Sequence, residues 1–118
     1  MDLSVVSQEG GIAHLKVKGR VTQRQLMSST DVLVDRLGLE VYKGKVLLDM
    51  REAEFLDSSG VSWLLIAHKR FREQGGRFVL YAVAPMVLNV LRVLKMQLVF
   101  DLADTYDEAL KKVQGDPA

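Results

Sequence analysis

Two hydroxyls and a carboxylate fall together at Asp57-Ser58-Ser59-Gly60. The run follows an apolar stretch, Lys45-Val46-Leu47-Leu48-Asp49-Met50, and leads into a helical pattern over Val61 to Gln74. These groups therefore stand at a helix start, where unpaired N–H groups and the positive end of the macrodipole favour oxygen ligands and anions. Two uses compete. One is capping: Ser, Asp and Gly are all good N-cap residues, and a capping bond is worth about 0.5–2 kcal/mol. The other is a functional loop whose serine accepts a phosphate. A cap needs one residue, two consecutive serines exceed that need, and Gly60 behind them leaves the approach uncluttered. The residues at this point leave both uses open.

Other chemistry is sparse. His14 lies in a strand-like alternation and His68 lies mid-helix, neither with a partner nearby in sequence. There is no HExxH pair, no Walker A lysine loop and no GxGxxG. Asp49, Asp57 and Asp101 are expected near strand C-termini, where α/β sites tend to form, but three scattered acids make no metal site. A small enzyme or nucleotide hydrolase would need a phosphate-cradling loop or a base–nucleophile pair, and neither is present. No catalytic residue, metal or cofactor is therefore assigned. The absence of cysteine excludes disulfides, thiolate metal sites and a Cys nucleophile. A formal net charge of +1 gives no electrostatic case for nucleic acid or an anionic membrane. No apolar run reaches the ~20 residues of a membrane span, and Met1-Asp2-Leu3-Ser4 lacks the n- and h-regions of a signal peptide. These features fit a cytoplasmic protein without membrane insertion.

The helix after the serines is informative on two sides. At about 100° per residue, Gly60, Leu64, Ala67, His68 and Phe71 share the face that must enter the core. Val61, Ser62, Leu65 and Lys69 line up below Ser58 on nearly the opposite side, with Ile66 at the edge. Val61 and Leu65 are expected to be exposed, either covered by other elements or forming a docking face with an apolar centre and polar rim. Trp63, at the flank of the core face, reads as a packing residue.

With 118 residues, 48% of them hydrophobic, the chain suits one domain with one core, expected over residues 1–114 with a tail at 115–118. Leu3 to Ser7 reads as a strand, Gln8-Glu9-Gly10-Gly11 as a hairpin turn, and Ile12 to Lys18 as a half-buried strand ended by Gly19. A helix is expected over Gln25 to Leu37 with Gly38 as C-cap, then a central strand over Lys45 to Met50. The helix of about Ser59 to Gln74 stops at Gly75-Gly76. Arg77 to Ala82 is a strand, Pro85 suits the first turn of a helix, and Gln97 to Phe100 is a last short strand. Thr105 and Glu108 fit a capping box, ahead of a buried stripe of Tyr106, Ala109, Leu110 and Val113. Strands alternating with single helices imply right-handed crossovers. The fold class is α/β: a mixed, mostly parallel sheet of about five strands with about four helices.

At these residues the sequence resembles the STAS domain, the family of anti-sigma factor antagonists, over roughly Leu3 to Val113. The resemblance rests on the opening hairpin, Val17-Lys18-Gly19-Arg20-Val21, Val46-Leu47-Leu48-Asp49, the hallmark Phe55-Leu56-Asp57-Ser58-Ser59-Gly60-Val61, Gly75-Gly76-Arg77-Phe78-Val79-Leu80 and Tyr106-Asp107-Glu108-Ala109-Leu110. It implies that Ser58 is phosphorylated by an anti-sigma factor that is itself a serine kinase. The unphosphorylated protein would bind that kinase, and a separate phosphatase would restore binding. Partner contact then falls to Asp57, Ser59, Gly60, Val61, Ser62, Leu65, Lys69 and Thr22, in a monomer or weak dimer. Thr22 marks a departure, because the family's Gly-x-x-Asp pattern reads Gly19-Arg20-Val21-Thr22 here. The alternative is a non-phosphorylated STAS scaffold or adaptor in a sensory or transport complex.

Overall fold

The computed structural model of the protein describes residues 2–22 and 31–115. Strands β1 (Asp2–Glu9) and β2 (Ile12–Val21) form the opening hairpin. At its tip Gly10 and Gly11 hold φ of +60° and +78°, the left-handed backbone that a two-residue hairpin turn requires. There follow α1 (Val32–Leu37), a 3-10 turn (Val41–Lys43), β3 (Lys45–Leu56), α2 (Ser58–Gln74), β4 (Arg77–Tyr81) and α3 (Pro85–Val93). A second 3-10 turn (Met96–Leu98), β5 (Asp101–Ala103) and α4 (Tyr106–Gln114) complete the order. The five strands lie in sequence order, β1 antiparallel to β2 and every other neighbouring pair parallel. This is the mixed α/β architecture the sequence implies.

β3 explains why its apolar run is unbroken. Val46, Leu48 and Met50 face one side of the sheet, with Leu15 and Val17 of β2, beneath Leu64 and Phe71 of α2 and Val87 and Leu91 of α3. Leu47 faces the other side, with Val79, Tyr81 and Ala103, beneath Ala109 and Val113 of α4. A strand covered on both faces has no polar register to keep. Of the stripe expected on α4, Ala109 and Val113 are buried, Leu110 is half-buried and Tyr106 is exposed.

Several boundaries differ from the expectation. β2 does not end at Gly19. It runs to Val21, with Gly19 at φ +87° beside a register shift that leaves Glu54 of β3 unpaired; the glycine supports a bulge instead of a stop. β3 likewise continues to Leu56, because its last residues pair with Gly19, Arg20 and Val21. β4 stops at Tyr81, and Ala82 turns to φ +52°. Gln97 to Phe100 is not a strand: the chain passes through a left-handed Lys95 (φ +60°) into the 3-10 turn, and β5 begins at Asp101. Short apolar runs do not distinguish these outcomes. The helix expected over Gln25 to Leu37 falls partly outside the described residues. Its described part begins only at Val32, because Asp31 is extended and its carboxylate accepts from the N–H groups of Leu33 (3.0 Å) and Val34 (3.1 Å). The tail, apart from Gly115, also lies outside the described residues.

Candidate functional site

β3, the central strand, delivers the Asp57–Gly60 run just beyond its C-terminal end. Asp57 is the N-cap of α2: its backbone is extended (φ −90°) and its carboxylate accepts from the Gly60 N–H at 2.9 Å. Its own N–H donates to the Val21 carbonyl (3.3 Å), and its carbonyl accepts from the Val61 N–H (3.0 Å). Capping is thus assigned to the aspartate. Ser58 and Ser59 are the first and second residues of the helix, Ser58 exposed and Ser59 half-buried. The first turn of α2 contains no acidic residue, and the nearest carboxylate in sequence is the cap itself.

Gly60 has a different task from the one its place in the sequence suggests. It is buried, and a Cβ added there would lie 2.4 Å from the Val21 carbonyl oxygen and 2.6 Å from Leu56 Cδ1. Its lack of a side chain lets α2 start directly against the end of β2, and it clears no solvent-side approach. Gly60, Leu64, Ala67, His68 and Phe71 are all buried, as the helical spacing requires. Trp63 is half-buried and packs against the same core.

On the outward side, Ser58, Ser62, Leu65 and Lys69 are exposed. Leu65 retains 37% of its surface and Ile66 50%. Val61 does not join them. It is only 7% exposed and belongs to the core cluster, so the expectation that it is an exposed docking residue is corrected. Three residues past Ser58 the helix has already turned by about 300°, which carries Val61 toward the sheet. Thr22 is half-buried, one residue beyond the Val21 carbonyl that receives Asp57.

The sequence reading missed one pair beside the serine. Arg20 and Phe55 are register partners on β2 and β3, and the guanidinium carbon sits 4.6 Å from the ring centroid, within the range of a cation–π contact. Phe55 is 40% exposed. No sequence periodicity places these two together, because the pairing depends on the bulge near Gly19.

The scattered titratable groups do not converge on Ser58. Asp49 lies within β3, where it accepts from the Arg51 N–H (2.9 Å), and Asp101 opens β5; of the three acids, only Asp57 stands just beyond a strand C-terminus. His14 hydrogen-bonds the Tyr81 hydroxyl on the α4 side of the sheet. Burial lowers the His14 pKa, partly opposed by Asp49, and burial pushes the Tyr81 phenol up to about 12. No cluster of three or more His, Cys, Asp or Glu able to hold a metal occurs among the described residues, and no helix there is long and apolar enough to cross a membrane.

The STAS domain family pattern matches residues 9–109. Among solved structures, an anti-sigma-factor antagonist (STAS) domain protein from Planctomyces limnophilus is 23% identical, with a TM-score of 0.76 over 98% of this chain and 100% of that one. The anti-sigma factor antagonist SpoIIAA in its unphosphorylated form is 20% identical, with a TM-score of 0.68 over 99% and 98%. The Bacillus cell fate determinant SpoIIAA in its phosphorylated form is 17% identical, with a TM-score of 0.62 over 96% and 98%. At these identities the likeness to solved structures is one of fold. A family pattern that covers β2 to β5 and the Asp57–Gly60 helix start is the firmer link, and by it the chain belongs to the STAS domain family.

Proposed function

We propose that the protein is an anti-sigma factor antagonist of the cytoplasm, docking through the outward side of α2 onto an anti-sigma factor that is a serine kinase. Phosphorylation of Ser58 ends that binding, and a phosphatase restores it. The observation that carries the reading is the exposed hydroxyl of Ser58 at the first position of α2, released from capping by Asp57 and followed by exposed Leu65 and Ile66. A phosphate there adds about −1.5 to −2 charges. The helix N-terminus tolerates an anion by about 0.3–1 kcal/mol, so the fold persists while the surface changes sign. Docking on Leu65 would then have to desolvate the new charge roughly 10 Å away along the helix. A loss of about 3 kcal/mol is already a hundredfold in affinity. SpoIIAA exists in unphosphorylated and phosphorylated forms, a behaviour that this reading extends to the present chain.

The test is incubation with a candidate kinase and ATP, followed by mapping of the phosphate by mass spectrometry. Label on Ser58 is expected; label elsewhere, or none, counts against the switch. Ser58→Glu should weaken kinase binding about tenfold or more with a melting temperature near wild type. Unchanged binding rejects the electrostatic gate.

A second reading, a STAS adaptor that is not phosphorylated, draws on Arg20 and Thr22. The family's acid would stand at Thr22, and Arg20 beside exposed Phe55 makes this margin cationic. Recovery of an ATPase or transporter subunit as principal partner, with no kinase, would favour it.

A further inference from the structure

His68 is the one buried polar side chain among the described residues, 7% exposed. It lies ten residues along α2 from Ser58, roughly 15 Å down the helix axis, toward the opposite end of the sheet. Its ring meets Phe100 edge-on at 5.8 Å and makes no hydrogen bond among the described residues. Its ring nitrogens are not among the described polar atoms sealed from solvent without a partner, and a buried imidazole that still reaches an opening can bind what enters. This one lines a cleft of about 430 Å³ between the C-terminal turn of α2 and the starts of β4 and β5, within the ~300–1,000 Å³ range of small-molecule sites.

The charges around the cleft are also unspent. Arg72 and Asp101 line it, and both act on the His68 ring, Asp101 favouring its charged form and Arg72 opposing it. Neither makes an ion pair among the described residues. Arg77 also lines the cleft, but its guanidinium donates to the carbonyls of Lys112 (2.9 Å) and Gly115 (3.2 Å) and is committed to the end of α4. Phe78 and Val99 provide apolar wall. A simple anion would meet Asp101 unfavourably and a simple cation would meet Arg72. A ligand carrying both signs would meet both walls favourably and offer the imidazole a partner.

We propose that this cleft binds a small zwitterion of the α-amino-acid type, its carboxylate toward Arg72, its ammonium toward Asp101 and an apolar side chain against Phe78 and Val99. His68 completes the polar contacts. The site is independent of Ser58 and adds ligand sensing to the domain at the far end of the helix that carries the serine.

The test is an amide chemical-shift titration of the ¹⁵N-labelled protein with L-leucine. Two one-charge analogues, 4-methylpentanoate and 3-methylbutylamine, are run beside it. Saturable shifts at His68, Gly75, Gly76 and Asp101 are expected, with both analogues about tenfold or more weaker, since each leaves one charged group unpaired. Asp101→Asn and Arg72→Gln should each weaken leucine about tenfold, the unperturbed remainder of the spectrum showing that the fold is intact. Absence of saturable shifts up to about 10 mM, a weak limit for specific recognition, would overturn the proposal. So would shifts confined to another region, or analogues that bind as well as leucine.

Discussion

Gly60→Ala puts the placement of Ser58 to a quantitative test. The added Cβ would stand 2.4 Å from the Val21 carbonyl oxygen and 2.6 Å from Leu56 Cδ1. Leu56 can rotate a terminal methyl, but Val21 is backbone, tied into the sheet by its pairing with Leu56. Relief therefore requires the start of α2 to move off β2 by about 1 Å to reach ordinary contact. Overpacking of this kind costs about 1–3 kcal/mol. The same shift strains the bond from the Asp57 N–H to Val21 (3.3 Å), worth about 0.5–1.5 kcal/mol. Alanine returns up to about 1 kcal/mol through its better helix propensity. The net expectation is a destabilisation of about 1–3 kcal/mol. At roughly 3–5 °C per kcal/mol for a domain of this size, the melting temperature should fall by about 3–15 °C. Calorimetry or urea unfolding measures this, with Ser62→Ala as an exposed control expected within about 0.5 kcal/mol of wild type. A Gly60→Ala protein as stable as the control would show that the helix does not start against β2 as described. The geometric argument for Ser58 would fail with it.

Replacing Leu65 and Ile66 together by serine should weaken partner binding at least about tenfold, because two exposed apolar contacts are removed from the docking centre. Leu65 keeps 37% of its surface and Ile66 50%, so the double variant should also lose about 1.5–3.5 kcal/mol of stability, and binding is compared below its melting transition; equal affinity would place the docking surface elsewhere. Ser58→Ala should leave stability within about 0.5 kcal/mol, whereas Asp57→Ala should cost about 1–2 kcal/mol through loss of the cap, and reversal of that order would reassign the capping role. His14 and His68 both have pKa values lowered by burial. The unfolded chain then binds more protons between each folded value and about 6.5, so stability should be complete above pH 6.5 and decline as pH falls below it. Urea midpoints across pH 7.5 to 5.5 measure this slope, and a His14→Gln, His68→Gln protein that keeps the full slope would refute the assignment.

Element types were legible where one signal dominated. The two glycines at the hairpin tip, the Pro85 start, the Thr105 cap and the buried face of α2 follow from turn chemistry and a 3.6-residue period. What failed depended on pairing between distant residues. Gly19 looks like a terminator because glycine weakens a strand, yet the register of β2 on β3 turns it into a bulge and carries both strands to the serine loop. That extension creates the Arg20–Phe55 contact and the seat of Gly60 against Val21, neither visible in a linear pattern. Val61 failed for a related reason. Its angular position on the helix lies at the boundary between the outward stripe and the core face, where the spacing alone does not tell which side covers it. The Thr105–Glu108 box was half right: Thr105 Oγ accepts from the Glu108 N–H at 3.2 Å, but the Glu108 carboxylate reaches the Asp104 N–H at 3.1 Å.

The division of labour at the start of α2 bears on how such a site can be modified at all. A hydroxyl that caps a helix ties any change in its chemistry to the stability of the helix start. Here the carboxylate of Asp57 holds the Gly60 N–H, and Gly60 holds the helix against β2. The two contacts that fix α2 in place therefore involve neither serine side chain. Among the described residues the Ser58 side chain makes no hydrogen bond that holds the helix, as the proposed switch requires. At the other end of the same 17-residue helix, His68 sits buried in the core face and opens onto the cleft. The helix is about 25 Å long. Ser58 and the cleft thus lie toward opposite ends of one helix, which Leu64, Ala67 and Phe71 hold in the core between them.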